Sequence, residues 1–186
     1  MVSFNLFVKR CFYILLIFFP FSIKAQKLDT DKIKNLNIRN IGPANMSGRI
    51  TTIDAVNENA KIIYVGAASG GVWKSENGGS SWTPIFDEQP TQNIGSLAIS
   101  QSNSSVIWVG TGEGNPRNSM NLGMGIFKSE DAGKSWVPMG LEKTKTIHRI
   151  IIHPTNEDVI YVGAMGDPFT KNSHRGLYKT SNGGKS

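Results

Sequence analysis

Cysteine is almost absent from this chain: the single one, Cys11, lies inside an apolar stretch at the amino terminus. Once that stretch is removed no thiol remains, which excludes disulfides and cysteine metal sites and leaves the fold to rest on its hydrophobic core. Histidine is scarce too. His148, His153 and His174 show no ligand spacing, so neither a metal nor any other cofactor is expected. There is no run of Lys or Arg and no basic stripe interleaved with aromatics, which speaks against nucleic acid as a partner. Beyond the amino terminus no segment carries a sustained 3.6-residue apolar period, so helices are not expected. Gly110 to Asn115 is glycine-rich, but it does not lead from a strand into a helix and is not a phosphate loop.

The amino terminus has the order of a secretory signal. Lys9 and Arg10 precede the nearly unbroken apolar run Cys11 to Phe21, and Ser22-Ile23-Lys24-Ala25 supplies a small residue before Gln26. A run of about a dozen residues is too short to cross a bilayer core, which needs roughly 20. Residues 1–25 are therefore expected to be cleaved, leaving no stable membrane span and a secreted, periplasmic or cell-surface protein. The cysteine stands at the start of the apolar run, not after it, so lipoprotein anchoring is not expected. The net charge of +6 falls to about +3 on cleavage, because Lys9, Arg10 and Lys24 leave with no acid. Residues 26–40 are polar and aperiodic, as in a linker or lead-in.

From Ile41 the chain repeats itself. Gly71 to Trp82 reads GVWKSENGGSSW, Gly125 to Trp136 reads GIFKSEDAGKSW, and Gly176 to Ser186 reads GLYKTSNGGKS. Equivalent positions recur after 54 residues (Ser75 to Ser129) and 51 residues (Ser129 to Thr180). Upstream of each copy stand two β-rich segments. Opening strands start at Ile50, Ile94 and Ile147, and 14 residues later come the aromatics Tyr64, Trp108 and Tyr161 of the second strands. The intervening turns are polar and rich in Asn. Within the template, Asn77, Asp131 and Asn182 can bond turn amides. Gly79, Gly133 and Gly184 fall where a hairpin wants positive φ. Trp82 and Trp136 open a fourth strand and are read as buried packing anchors. Burial of an indole removes about 150–250 Å² from water, an upper bound of about 4–6 kcal/mol, against about 1 kcal/mol for a turn hydrogen bond. Ser75, Ser129 and Thr180 complete the structural set.

Four antiparallel strands per repeat of fifty-odd residues is the period of propeller blades, so residues 41–186 are expected to form an all-β, partial β-propeller of about three blades. The string Ser-x-Asp-x-Gly-x-Ser-Trp resembles the Asp-box, or bacterial neuraminidase repeat. With the upstream segments it is similar to exported sortilin-type and glycosidase-like bacterial propellers. Three blades cannot close a ring, so the chain is expected to be an amino-terminal fragment with the remaining blades missing from it.

Strand alternation puts the template turn on one face and the second-to-third-strand loop on the other. That loop grows from 9 residues (Gly66 to Ser75) to 19 (Gly110 to Ser129) and 17 (Gly163 to Thr180). The additions carry Glu113, Asn115 and Arg117, then Asp167, His174 and Arg175, and the segment Gly42 to Arg49 should reach the same face. Arg49, Asn115, Arg117, His174 and Arg175 are candidate ligand contacts. Arg49 could equally pair with Asp54 or Glu113, and Glu113 with Arg117. Met120, Met124 and Met165 are read as apolar cover.

The resemblance implies two functions. One is a binding scaffold of sortilin type that grips a peptide or glycan partner with its loop face. The other is a glycosidase, which needs two carboxyls about 5–9.5 Å apart; Glu113 and Asp167 are the loop candidates. Xyloglucan-cleaving relatives carry a catalytic Asp just before a Gly-Gly pair, where this chain reads Ala67-Ala68-Ser69-Gly70-Gly71. A sialidase would need three converging arginines, and the spacing of Arg39, Arg49, Arg117, Arg149 and Arg175 selects no three.

Overall fold

β-Branched and aromatic runs broken by Asn- and Gly-rich turns fold here as short antiparallel strands. The computed structural model describes residues 49–115 and 120–186. The expected signal (1–25), the lead-in (26–40), Gly42 to Gly48 and Arg117 lie outside the described residues. The first sheet has the order β1 (Ile50–Val56), β2 (Asn59–Ala67), β3 (Gly71–Ser75) and β4 (Thr83–Pro84). The second has β5 (Ile94–Ile99), β6 (Ile107–Thr111), β7 (Ile126–Ser129) and β8 (Val137–Pro138). The third places β10 (Asn156–Ala164) between β9 (Ile147–His153) and β11 (Gly176–Thr180). The opening strands start at the three isoleucines named from the sequence. A single 3-10 turn, Glu142–Thr144, is the one helical element among the described residues.

The three sheets stand as neighbouring blades of a β-propeller, with β1 packed on β5 and β5 on β9. Blades approach closely because the last residue of the Tyr-Val-Gly or Trp-Val-Gly run has no side chain. A Cβ on Gly66 would lie 2.6 Å from Cγ2 of Ile94 in the next blade, and one on Gly110 would lie 2.8 Å from Cβ of Ile147. The opening isoleucine of each following blade thus seats on the glycine of the blade before it. A hydroxyl fixes the register at the same level. Thr52 Oγ1 accepts the Leu97 amide at 3.2 Å, and Ser96 Oγ at the equivalent position accepts the Ile150 amide at 3.0 Å. Asp54 adds a third tie, its Oδ2 accepting the Ile99 amide at 2.9 Å. Two apolar clusters fill the interfaces, one around Tyr64, Ile94 and Phe127, the other around Trp108, Ile147 and Ile160.

The tryptophans behave differently from the expectation. Strand four begins one residue after each of them, at Thr83 and Val137. Trp136 is a half-buried wedge: its indole N–H donates to the Ile85 carbonyl of the preceding blade at 2.7 Å, and its ring meets Phe86 edge-on at 5.1 Å. Trp82 is 36% exposed, since no preceding blade stands against it among the described residues. The template lysine has a role the sequence did not suggest. Lys74, Lys128 and Lys179 lie opposite Tyr64, Trp108 and Tyr161 in the ladder, with each ammonium 5.4–5.6 Å from the ring centroid.

Overpacking decides the first prediction. Gly110→Ala should destabilise the protein by about 1–3 kcal/mol, whereas Gly163→Ala, whose added Cβ would find its nearest neighbour 3.6 Å away, should stay within about 0.5 kcal/mol. Urea denaturation of the two variants checks it.

Candidate functional site

The two faces of the blades are built differently. On one, the template turn repeats with the same hydrogen bonds in every copy. Ser75, Ser129 and Thr180 each accept the amide of the glycine four residues on (Gly79, Gly133, Gly184) at 2.8–3.0 Å. Asn77, Asp131 and Asn182 each accept the amide four residues on (Ser81, Ser135, Ser186) at 2.8–3.0 Å. Two consecutive residues have positive φ in each turn, and the first of them is Ala132 in the second copy. The turns are tied to the first-to-second-strand side of their own blades: Gly78 donates to Lys61, Ala132 to Ser105 and Gly183 to Asp158. The polar side chains of the motif thus serve its shape. Hydrogen bonds from the Ser135 hydroxyl and amide hold the Asp131 carboxyl down to about 2. Hydrogen bonds from Lys74 and Lys128 likewise lower Glu76 and Glu130.

On the other face the loops differ from blade to blade. The short first loop and the long second one meet where Asn121 Nδ2 donates to Ser69 Oγ at 2.5 Å. The connections between blades join them there: Gly112 donates to the Asn93 carbonyl, Gly123 to Lys145 and Met165 to Thr146. Arg49, just before β1, reaches across to this loop and forms an ion pair with Glu113. The Glu113 side chain is fully enclosed and that of Arg49 is 43% exposed. Arg49 Nη2 bonds Oε1, while Oε2 has no hydrogen-bond partner among the described residues. Of the pairings open to Arg49 in the sequence, the structure has Glu113; Asp54 binds the Ala55 and Ile99 amides instead. Asn115 is exposed at the edge of the undescribed residues 116–119. Met124 is exposed, so it does not act as apolar cover.

The third loop folds on its own hydrogen bonds. Asp167 Oδ1 accepts the Phe169 amide at 2.9 Å, an Asx turn of the kind Asp-Pro starts favour. Arg175 Nε donates to the Met165 carbonyl at 2.7 Å, and the His174 amide donates to Asn172 Oδ1 at 3.2 Å. Pro168, Phe169, Thr170, Lys171, Asn172 and Arg175 line an open concavity of about 560 Å³. Phe169 is 64% exposed there. Sequence reasoning passed over this residue, although an aromatic inside an otherwise polar insertion is a usable signal. No hydrogen bond joins Glu113 to Asp167 among the described residues. There, too, no group of three or more His, Cys, Asp or Glu could hold a metal, and no helix is long and apolar enough to cross a membrane.

No protein-family model and no curated protein matches the chain. Solved structures do. An ancestral GH74 enzyme is similar at 22% identity and a TM-score of 0.56, over 73% of this chain and 17% of that one. The GH74 enzyme of Niastella koreensis gives 22% and 0.53, over 68% and 19%. YCF48 from Cyanidioschyzon merolae gives 18% and 0.51, over 77% and 37%. YCF48 solved with a bound D1 peptide gives 13% and 0.51, over 75% and 39%. At these identities the likeness is one of fold, that of a β-propeller, and the chain spans less than half the length of each neighbour.

Each face yields a test. The Asp131 carboxyl, followed by carbon-13 NMR, should titrate at about 2 in the folded protein, and Ser135→Ala should move it up toward the usual 3.8. Because the folded value lies below the unfolded one, its contribution to stability is complete above pH 3.8 and is lost as the pH falls through 2. On the loop face, Arg49→Ala leaves an enclosed carboxylate without its partner and should cost about 2 kcal/mol in chemical denaturation, more than Glu113→Gln costs.

Proposed function

We propose that this chain is part of an exported Asp-box propeller that acts as a binding scaffold, taking a peptide or a glycan on its loop face. The observation that carries the reading is the exposed Phe169 beside Arg175 in the third-loop concavity. An aromatic ring suits a peptide side chain or a sugar ring through stacking, and so does the face of a guanidinium whose Nε and Nη2 are already held by the Met165 and Asp167 carbonyls. Arg175 is already oriented by the Met165 carbonyl, so little of its freedom remains to be lost on binding. The two loop carboxyls support the same reading. Glu113 is enclosed against Arg49 and Asp167 closes its own turn, so each serves the scaffold. A propeller of the same fold, YCF48, has been solved with a peptide bound. Export rests on the amino-terminal signal pattern.

Glycoside hydrolysis is the second reading, favoured by the GH74 enzymes among the structures of similar fold. It requires a carboxyl pair across the scissile bond, supplied by Glu113 and Asp167 or by residues outside this chain.

The whole protein, tested on arrays of synthetic peptides and glycans and on aryl glycosides and polysaccharides, separates the two. Binding without sugar release is expected, weakened by about tenfold or more in Phe169→Ala and Arg175→Ala. Release of reducing sugar that disappears in Glu113→Gln or Asp167→Asn would replace the scaffold with an enzyme.

A further inference from the structure

The polar turn that repeats on one face also carries a reactive pair of residues. Two of its three copies have Asn followed by Gly, Asn77-Gly78 and Asn182-Gly183, and these are the two Asn-Gly pairs in the chain. The second copy reads Asp131-Ala132 at the same positions. Asn-Gly is open to self-cyclisation, because no side chain on the second residue hinders its backbone nitrogen from reaching the side-chain amide. In that reaction the Gly78 nitrogen gives up its proton to solvent and attacks Asn77 Cγ. The new C–N bond closes a succinimide ring, the Cγ–Nδ2 bond breaks, and Nδ2 leaves as ammonia. Water then opens the ring at one of its carbonyls. One opening gives aspartate; the other gives isoaspartate, whose backbone runs through Cγ and is one carbon longer.

Asn77 and Gly78 are both exposed, so water and base reach them. Hydrogen bonds are what restrain them. The Gly78 N–H, the nucleophile, donates to the Lys61 carbonyl at 2.9 Å. Asn77 Nδ2, the leaving group, donates to Ser81 Oγ at 2.8 Å. Asn77 Oδ1 accepts the Ser75 hydroxyl at 3.0 Å and the Ser81 amide at 2.9 Å, which fixes the plane of the side-chain amide. We propose that Asn77-Gly78 is a self-modification site that the folded turn holds inert and that reacts when the turn opens. The second blade shows which product the turn accepts. Asp131 takes the same bonds from the Ser129 hydroxyl and the Ser135 amide, and its Oδ2 accepts the Ser135 hydroxyl at 2.6 Å. Aspartate at position 77 therefore re-enters the turn with every bond replaced, whereas isoaspartate lengthens the loop backbone and carries the carboxyl away from Ser81. Opening thus leaves a permanent mark, a negative charge on the first blade's turn. The site lies on the turn face and does not depend on the loop-face reading.

The test follows Asn77 by mass spectrometry at mildly alkaline pH in the whole protein, folded and in urea, beside a synthetic peptide of residues 74–83. Deamidation should be more than about tenfold slower in the folded protein than in the peptide, because only the opened turn reacts. In urea the protein should match the peptide. Gly78→Ala gives this turn the residue that the second blade carries there, and its Cβ meets nothing within 4 Å. It should suppress the reaction in urea. Ser81→Ala, which frees Nδ2, should raise the folded rate toward that of the peptide. After dilution from urea, the refolded fraction should hold aspartate at position 77 and exclude isoaspartate. Equal rates in the folded protein and the peptide, or a folded rate indifferent to Ser81→Ala, would overturn the protection. Isoaspartate in the refolded fraction, in the proportion the peptide shows, would overturn the turn's choice of product.

Discussion

The closeness of neighbouring blades is the constraint from which the rest of the structure follows. Gly66 faces Ile94 and Gly110 faces Ile147 with no room for a methyl group between them. Only a bare backbone on one side lets a β-branched side chain from the other side reach the sheet, and this contact sets the spacing at which the hydroxyls of Thr52 and Ser96 find the next blade's amides. Trp136 can wedge against Phe86 and reach the Ile85 carbonyl because the blades already stand at that separation. Close packing accounts for the severity of the constraint, since interiors packed to crystal density have no slack to absorb an extra carbon.

A scaffold held this way can assign its two faces to different work. The turn face is invariant in its hydrogen bonds even though Ser and Thr, or Asn and Asp, exchange in the motif. The loop face grows without disturbing the sheets, because insertions between the second and third strands add backbone outside the ladder. Their own polar groups satisfy them, as Asp167, Asn172 and Arg175 do in the third loop. Glu113 belongs to both worlds. It sits in a variable loop but is fully enclosed, and its partner Arg49 ties the start of the first blade to the second.

Much of the fold was legible in the sequence because it resides in periodicity. The distance from Ile50 to Tyr64, repeated from Ile94 and from Ile147, located the opening strands to the residue, and the template glycines marked positive φ. Contacts between repeats were not legible. Gly66 and Gly110 read as strand ends, and nothing in one repeat shows that its glycine faces the next repeat's isoleucine. The same holds for Trp82, whose exposure depends on a neighbour and not on its own motif. The site was legible only as a region: insertion length pointed to the loop face. The choice of Glu113 over Asp54 by Arg49, and the exposure of Phe169, depend on how loops from different repeats fold together.

A double-mutant cycle on Gly66→Ala and Ile94→Ala measures the interblade contact most directly. Taken singly, the first adds a methyl group where none fits, at about 1–3 kcal/mol, and the second leaves a cavity, at about 2–5 kcal/mol. If glycine and isoleucine are two halves of one steric lock, the added methyl partly fills the space the isoleucine vacates. The double mutant should then be more stable than the sum of the single losses allows, by about 1 kcal/mol or more. Strict additivity would show that the blades are spaced by something other than this contact.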